Sequence, residues 1–325
     1  MAYQTGVVNN LVDIQTAIRL FLVANGWTWS GGGGGPVLHK DQIFVKFITP
    51  TADTVMFVGT TALSGGSDTP RQVGMGRMVY SGIGNVPALI TFPATYWAFL
   101  NDDEFYFILN YDTTRYQFVT WGKSTLDVGA GATGMFIAGT VNELLTYGGY
   151  ANISAGITIS ANGGGLSSIH SRRSAAPFWD SSQNANSTSM SSYTDLTASF
   201  VHSNLGGASW RLGVQPSNDA TRWDYPGNGY AGNLQSVLPN AWNGESPFLP
   251  LRAYRLVAET KISLVLDLRH ARQCRIDNFS DNEIVTIGTD EWQVFPFHRR
   301  NVAARNGGSS IDHTGTFGWA IRKVT

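Results

Sequence analysis

The chain has 325 residues and a formal net charge of −1, with 14% charged residues and 37 glycines. This low charge argues against long exposed helices and coiled coils, and the balanced charge gives no general attraction to nucleic acid or anionic membranes. The single cysteine, Cys274, excludes an intramolecular disulfide, and no Cys/His cluster has the spacing of a zinc site. We expect no signal peptide, no membrane insertion, no cofactor and no bound metal.

One amphipathic helix is predicted near the start of the chain. Its apolar residues recur at spacings of three and four, as on one buried helical face: Leu11, Ile14, Ile18, Phe21 and Leu22. Asn10 suits the N-cap, and Asn25 with Gly26 provides a stop. A run of five glycines at residues 31–35 then predicts a flexible loop or hairpin tip.

Strands are predicted on both sides of the middle of the chain. β-Branched and aromatic residues indicate strands at 43–48 and 54–59. The strongest hairpin pairs residues 104–110 with 116–121, and we expect it in the core of a sheet. The C-terminal part adds a hairpin of 283–287 with 291–297 and strands at 261–268 and 317–324.

These elements predict a mainly β protein, with β-sandwich or jelly-roll-like sheets, one short N-terminal helix and long decorated loops. We divide it into an N-terminal helix and docking segment (1–30), a β domain (40–150), a Ser/Asn/Gly/Trp-rich loop region (150–250) and a C-terminal β segment that completes the core (250–325).

No catalytic constellation emerges from the sequence. Asp102, Asp103 and Glu104 are consecutive, which favours a solvated turn over a cation site. Six histidines are scattered without metal-binding spacing, and Cys274 is best explained as a packed strand residue. Four carboxylates near aromatic residues leave a glycan-cleaving enzyme as the least favoured function: Asp180, Asp219, Asp224 and Glu245.

Aromatic residues among Gly, Asn and Ser form the most suggestive functional pattern. Large rigid rings can anchor a protein interface or stack on a sugar, and an interface or core role is favoured here. The residues predicted to contact a partner or a glycan are Trp27, Trp29, Trp210, Trp223, Tyr225, Tyr230 and Trp242.

Both ends of the chain resemble a family of tailed-bacteriophage virion proteins. The similar segments are residues 1–6 (MAYQTG), the predicted helix, residues 24–28 (ANGWT) and residues 313–322 (HTGTFGWAIR). The pair Tyr96-Trp97 with Asn101 is similar to the middle of that family. The resemblance implies a structural component of the tail or baseplate, with no catalytic residue carried over.

We therefore expect a structural, non-enzymatic subunit of a virion tail tip or baseplate, made in the host bacterial cytoplasm. It would form homo-oligomers and dock other tail or baseplate proteins. The alternative is a receptor-binding module of the tail that recognises host-surface glycan through the central aromatics. No nucleic-acid partner is expected.

Overall fold

The structure is a computed structural model. It describes residues 1–31, 35–50, 54–69, 72–76, 91–113, 115–126, 130–139, 141–142, 146–147, 150–151, 201–204, 211–212, 224–226, 239–258, 261–296 and 317–324. These residues form one helix and 21 strands, so the prediction of a mainly β protein with a single N-terminal helix is confirmed. The helix has 14 residues, fewer than a membrane span needs. The described residues contain no helix that could span a membrane.

The elements of the first part of the chain are β1 (Ala2–Val8), α1 (Leu11–Ala24), β2 (Thr28–Ser30), β3 (Val37–Lys40), β4 (Ile43–Phe47), β5 (Thr54–Thr60), β6 (Val73–Gly76), β7 (Ala94–Asn101), β8 (Glu104–Asp112), β9 (Arg115–Lys123) and β10 (Met135–Gly139). The later strands are β11 (Val141–Asn142), β12 (Thr146–Tyr147), β13 (Tyr150–Ala151), β14 (Val201–Ser203), β15 (Arg211–Leu212), β16 (Asp224–Pro226), β17 (Leu249–Ala258), β18 (Lys261–Arg275), β19 (Ile284–Ile287), β20 (Asp290–Pro296) and β21 (Phe317–Lys323).

Three antiparallel sheets build the fold. The central sheet has the order β1-β7-β8-β9-β10-β14-β15, the N-terminal sheet β11-β6-β5-β4-β3-β2, and the C-terminal sheet β16-β17-β18-β21-β20-β19. A small two-stranded sheet pairs β12 with β13. Consecutive strands are neighbours through most of the first two sheets, so they are meanders in which each strand returns beside the previous one.

The central sheet is buried on both faces. Along β8, Phe105 and Phe107 point toward the N-terminal sheet and α1, whereas Tyr106 and Ile108 point toward the C-terminal sheet. Alternate residues of a strand face opposite sides, so a strand covered on both sides needs a nearly continuous apolar run. The three sheets therefore stack as a sandwich of three layers, and the predicted hairpin of β8 and β9 lies in the middle layer, as expected.

Aromatic rings pack against one another on both sides of the central sheet. Between the central and N-terminal sheets, Phe47, Phe57 and Trp121 form a cluster of rings with centroids 4.9 to 6.4 Å apart. Between the central and C-terminal sheets, Trp319 packs edge-on against Tyr106 and Phe118. Tilted and edge-to-face arrangements suit the charge distribution of aromatic rings, so both interfaces are well-packed cores.

Helix α1 begins and ends where the sequence predicts. The side-chain Oδ1 of Asn10 accepts a hydrogen bond from the backbone N–H of Asp13 at 2.9 Å, which caps the helix. Gly26, at φ 87°, provides the left-handed turn that follows it. The glycine run lies between β2 and β3, which pair as a hairpin, although residues 32–34 are outside the described part.

The predicted N-terminal helix and docking segment, residues 1–30, packs onto the sheets. Residues 2–8 form β1, which pairs with β7 along its whole length and makes one edge of the central sheet. Trp27 is buried at 3% exposure in the first core. The segment is therefore an integral part of the sandwich, because its apolar residues complete a core shared with sheet residues far along the chain.

Candidate functional site

Exposed apolar side chains concentrate at two places on the described surface. The ten that are large and exposed include five within the first 23 residues: Met1, Val7, Val12, Leu20 and Val23. Three more lie in two neighbouring segments near the C-terminal sheet: Trp242, Ile284 and Ile287. Scattered exposed apolar residues are normal on a protein surface, but groups of them mark contact sites.

The first place is the solvent-facing side of α1, called here the helix surface and comprising Val12, Leu20 and Val23. These residues are 58%, 58% and 42% exposed. At 100° per residue they fall within one stripe opposite the buried face. Thr16 falls within the same stripe and Arg19 lies at its edge, so this side of α1 is a mixed surface that carries three exposed apolar side chains. Exposed apolar side chains grouped in this way are typical of a contact site.

A groove adjoins the helix surface. It encloses about 200 Å³ and is lined by residues of α1 together with Trp29, Pro36 and Phe47. The guanidinium of Arg19 lies 5.3 Å from the centre of the Trp29 ring, and Trp29 packs edge-on against Phe47 at 5.0 Å. Trp29 is thus half-buried beside the helix surface, where a partner can reach it. Trp27, also predicted as a contact residue, lies inside the core.

The second place centres on Trp242, whose side chain is 96% exposed. The ring is carried by a short loop, called here the Trp242 turn, at residues 240–245. Asn240 donates its backbone N–H to the Glu245 carbonyl and accepts the N–H of Gly244, both at 2.8 Å. Its side-chain Oδ1 accepts the Trp242 N–H at 2.9 Å. These bonds close the turn on itself and hold the aromatic ring outward.

The C-terminal sheet anchors the same turn from outside. Asn278 donates its side-chain amide to the carbonyl of Gly244 at 3.0 Å. Gly244 has φ 71°, a conformation that glycine adopts without strain. Glu245 adds a further bond by donating its N–H to the side chain of Asn243 at 3.1 Å. The backbone that carries Trp242 is therefore preorganised.

A wide cleft of about 1250 Å³ opens between the Trp242 turn and the β19 hairpin. We call it the Trp242 cleft. Its floor includes Phe248 and Phe279, whose ring centres lie 6.0 Å apart, and Ile287 forms part of the opposite wall. Glu245 and Glu283 are the charged residues of its lining. The cleft thus combines an exposed ring, an apolar floor and polar walls, which is the usual composition of a ligand site.

A buried acidic group forms a third feature, between the central and C-terminal sheets. The sequence predicts a solvated turn for Asp102, Asp103 and Glu104, but Glu104 is only 3% exposed. Its Oε1 accepts the backbone N–H of Arg269 at 2.8 Å, and its Oε2 accepts that of His270 at 3.0 Å. The prediction fails for this residue because its partners lie 165 residues further along the chain.

Strand β18 explains why those amides are available. Leu268 and Arg272 pair with two adjacent residues of β17, Leu251 and Pro250. The three residues of β18 between them have no partner in β17 and form a bulge. This bulge turns the two N–H groups toward Glu104, and the guanidinium Nη1 of Arg272 donates to the carbonyls of residues 268, 269 and 271 at 2.8 to 3.1 Å. The side chains thus satisfy the polar groups that the bulge exposes.

The hydroxyl of Tyr106 completes this arrangement by donating to Oε2 of Glu104 at 2.6 Å. We call the carboxylate and its three donors the Glu104 clamp. Burial raises the pKa of the Glu104 carboxyl, and the hydrogen bond from Tyr106 and the nearby His270 partly offset this rise. Nε2 of His270 lies 3.0 Å from Oδ2 of Asp102. The Glu104 clamp therefore links the central sheet to the C-terminal sheet by hydrogen bonds.

Other predicted residues have varied placements. Cys274 is buried in β18, as predicted, and burial raises the pKa of its thiol. In the described residues, His, Cys, Asp and Glu side chains form no group of three or more suited to a metal ion. Tyr225 lies in β16, whose backbone pairs with β17. The predicted residues outside the described part are Trp210, Trp223, Tyr230, Asp180 and Asp219.

The sequence was compared with models of known protein families and with curated proteins. No family model matches. No curated protein matches either. The function must therefore be argued from the chain itself.

The sequence reasoning missed the neighbours of Trp242. Two apolar residues, Ile284 and Ile287, lie in the short strand β19, whose side chains are largely exposed. Their position next to a turn rich in Asn and Gly was the available signal, but only the fold brings residues 240–248 and 278–288 to one cleft.

Proposed function

We propose that the protein is a structural subunit of a tailed-phage virion, in the tail tip or baseplate, that oligomerises and docks other virion proteins. The helix surface is the observation that carries this proposal. A neighbouring subunit in an assembly would cover the exposed side chains of Val12, Leu20 and Val23, which supports a docking role for this surface.

The segments similar to phage virion proteins are joined in space, which supports the same proposal. Tyr3 and Gly6 lie on β1 opposite Phe99 and Tyr96 of β7. The side-chain amide of Asn101, at the end of β7, donates to a backbone carbonyl of β21 at 2.8 Å. Segments from the beginning, the middle and the end of the chain thus form one structural unit.

Gly6 has a specific role in that unit. A Cβ placed on Gly6 would lie 2.9 Å from both Cε1 and Oη of Tyr96. The tyrosine ring is itself held by stacking on Phe107, at 5.0 Å, and by the side-chain amide of Gln4, which donates to its hydroxyl at 2.7 Å. Any larger residue at position 6 must displace this ring. A steric requirement therefore links the opening motif to the middle motif.

Two measurements test the proposal. Mass spectrometry of purified phage particles that encode this chain should detect it as a virion component. In solution, Leu20→Glu should reduce assembly of the purified chain, measured by light scattering after size-exclusion chromatography, because it puts a charge on the helix surface. Leu63→Glu, at a residue that is 43% exposed elsewhere, is the matched control and should leave assembly unchanged. Absence from purified particles would refute the proposal.

A further inference from the structure

Trp242 is presented to solvent in a way that the fold itself does not require. Its side chain is 96% exposed, whereas Trp121 and Trp319 at the centres of the two cores are completely or almost completely buried. The turn beneath it is closed by backbone and side-chain hydrogen bonds and fastened to Asn278. Because the backbone is already ordered, a ligand that covers the ring gains contact area with little further loss of conformational freedom.

Polar groups around the cleft complement a polyhydroxylated ligand. Asn243 and Asn278 carry amide groups, Thr286 a hydroxyl and Glu245 a carboxylate, and all four residues line the cleft. Amides and hydroxyls both donate and accept hydrogen bonds, and a carboxylate accepts them. A sugar ring has an apolar C–H face that can stack on an indole and a rim of hydroxyls that need both kinds of partner.

The charged residues of the cleft indicate which class of sugar it can bind. Among the residues that the structure describes, those lining the Trp242 cleft include Glu245 and Glu283 and no lysine, arginine or histidine. An acidic saccharide would bring its carboxylates or phosphates toward these two glutamates without a basic partner. The lining therefore favours a neutral saccharide.

We propose that the Trp242 cleft binds a neutral saccharide chain, with one sugar ring stacked on Trp242 and its hydroxyl groups bonded to the polar walls. A protein anchor is less favoured, because protein interface cores are depleted in Glu and Ser, which line this cleft at Glu245, Ser246 and Glu283. The volume of about 1250 Å³ accommodates several sugar rings. This inference does not depend on the proposed virion role.

The test uses the full chain on an array of neutral and acidic oligosaccharides, followed by calorimetric titration of the strongest neutral ligand. We expect binding to neutral members only. Trp242→Ala should weaken it about tenfold or more, and Trp242→Phe should retain most of it, because a smaller aromatic face still stacks. Leu63→Ala is the control for an exposed apolar residue outside the cleft and should bind like the wild type.

The fold should tolerate these changes, because Trp242 is almost fully exposed; thermal melting of each variant checks this. Absence of any neutral ligand, equal binding by Trp242→Ala, or preference for acidic sugars would overturn the proposal. If Trp242→Ala alters self-association of the chain and no sugar binds, the turn is a protein contact and the saccharide site is refuted. None of these results changes whether the chain is found in virions.

Discussion

Glu104→Gln should destabilise the protein although it alters only one atom of the side chain. The carboxylate accepts three hydrogen bonds through two oxygens, from Tyr106, Arg269 and His270. Glutamine has one acceptor oxygen, and its NH₂ group must face at least one of the two buried backbone N–H groups in either orientation. A buried donor left without an acceptor costs about 1–3 kcal/mol, so we expect a loss of that size in the free energy of unfolding at pH 7.

The pH dependence gives a second expectation with a defined sign. Burial raises the pKa of folded Glu104 above its ordinary value of 4.5. At a pH between the ordinary pKa and the folded pKa, the folded state binds more protons than the unfolded state. The contribution of Glu104 to stability therefore falls as pH rises. The contribution is complete below about pH 4.5 and is lost as pH rises through the folded pKa. The difference between wild type and Glu104→Gln should therefore widen as pH is lowered from 7 toward 4.5.

Urea denaturation followed by tryptophan fluorescence measures both effects. Asp103→Asn is the matched control, because Asp103 is adjacent and forms an exposed ion pair with Lys40 at 3.1 Å. Such pairs contribute about 0–1 kcal/mol. Tyr106→Phe removes one donor and should cost about 0.5–1.5 kcal/mol. A Glu104→Gln variant as stable as wild type at pH 7 would refute the clamp. A difference that narrows on acidification would contradict the burial-raised pKa of Glu104 and show that its hydrogen bonds outweigh burial.

Three further predictions concern the rest of the described fold. Gly122→Ala should reduce stability by about 1–3 kcal/mol, because its Cβ would collide with the backbone carbonyl of Asp103; Gly31→Ala, which meets no atom within 4 Å, should stay within about 0.5 kcal/mol in the same urea titration. Asn10→Ala should cost about 1 kcal/mol through loss of the helix cap, and an unchanged urea midpoint would contradict the capping role. Cys274 should react with a thiol reagent only at the rate of unfolding, so rapid labelling of the native protein, followed by mass spectrometry, would contradict its burial.

Local patterns predicted those elements whose neighbours are close in sequence. The cap and the apolar face predicted helix α1, and two aromatic strands separated by a polar turn predicted the β8–β9 hairpin. In both cases, the residues that decide the structure lie within about 20 positions of one another. The β19–β20 hairpin of the C-terminal sheet was found for the same reason, whereas β16 and β17 were not predicted.

Long-range partners decided the features that were missed. β1 contains Gly6, a weak strand former, and shows no clear apolar alternation; it is a strand because β7 lies beside it more than 85 residues later. Glu104 looks like part of an acidic turn until the bulge of β18 supplies two amides. Trp242 was predicted as a partner or glycan contact, but its cleft is formed by two segments that come together only in the fold.

The burial of the central sheet on both faces has a consequence for synthesis on the ribosome. The C-terminal strands β17 to β21 supply the cover for Trp97, Tyr106 and Phe118, and they are translated after the strands of the central sheet that they cover. At about 5–20 residues per second, residues 249–324 take roughly 4–15 s to emerge. During that interval the aromatic face of the central sheet that later packs on β17 to β21 is exposed. Newly made chains are therefore most vulnerable to aggregation in this interval, and a chain truncated before β17 should expose the same apolar face.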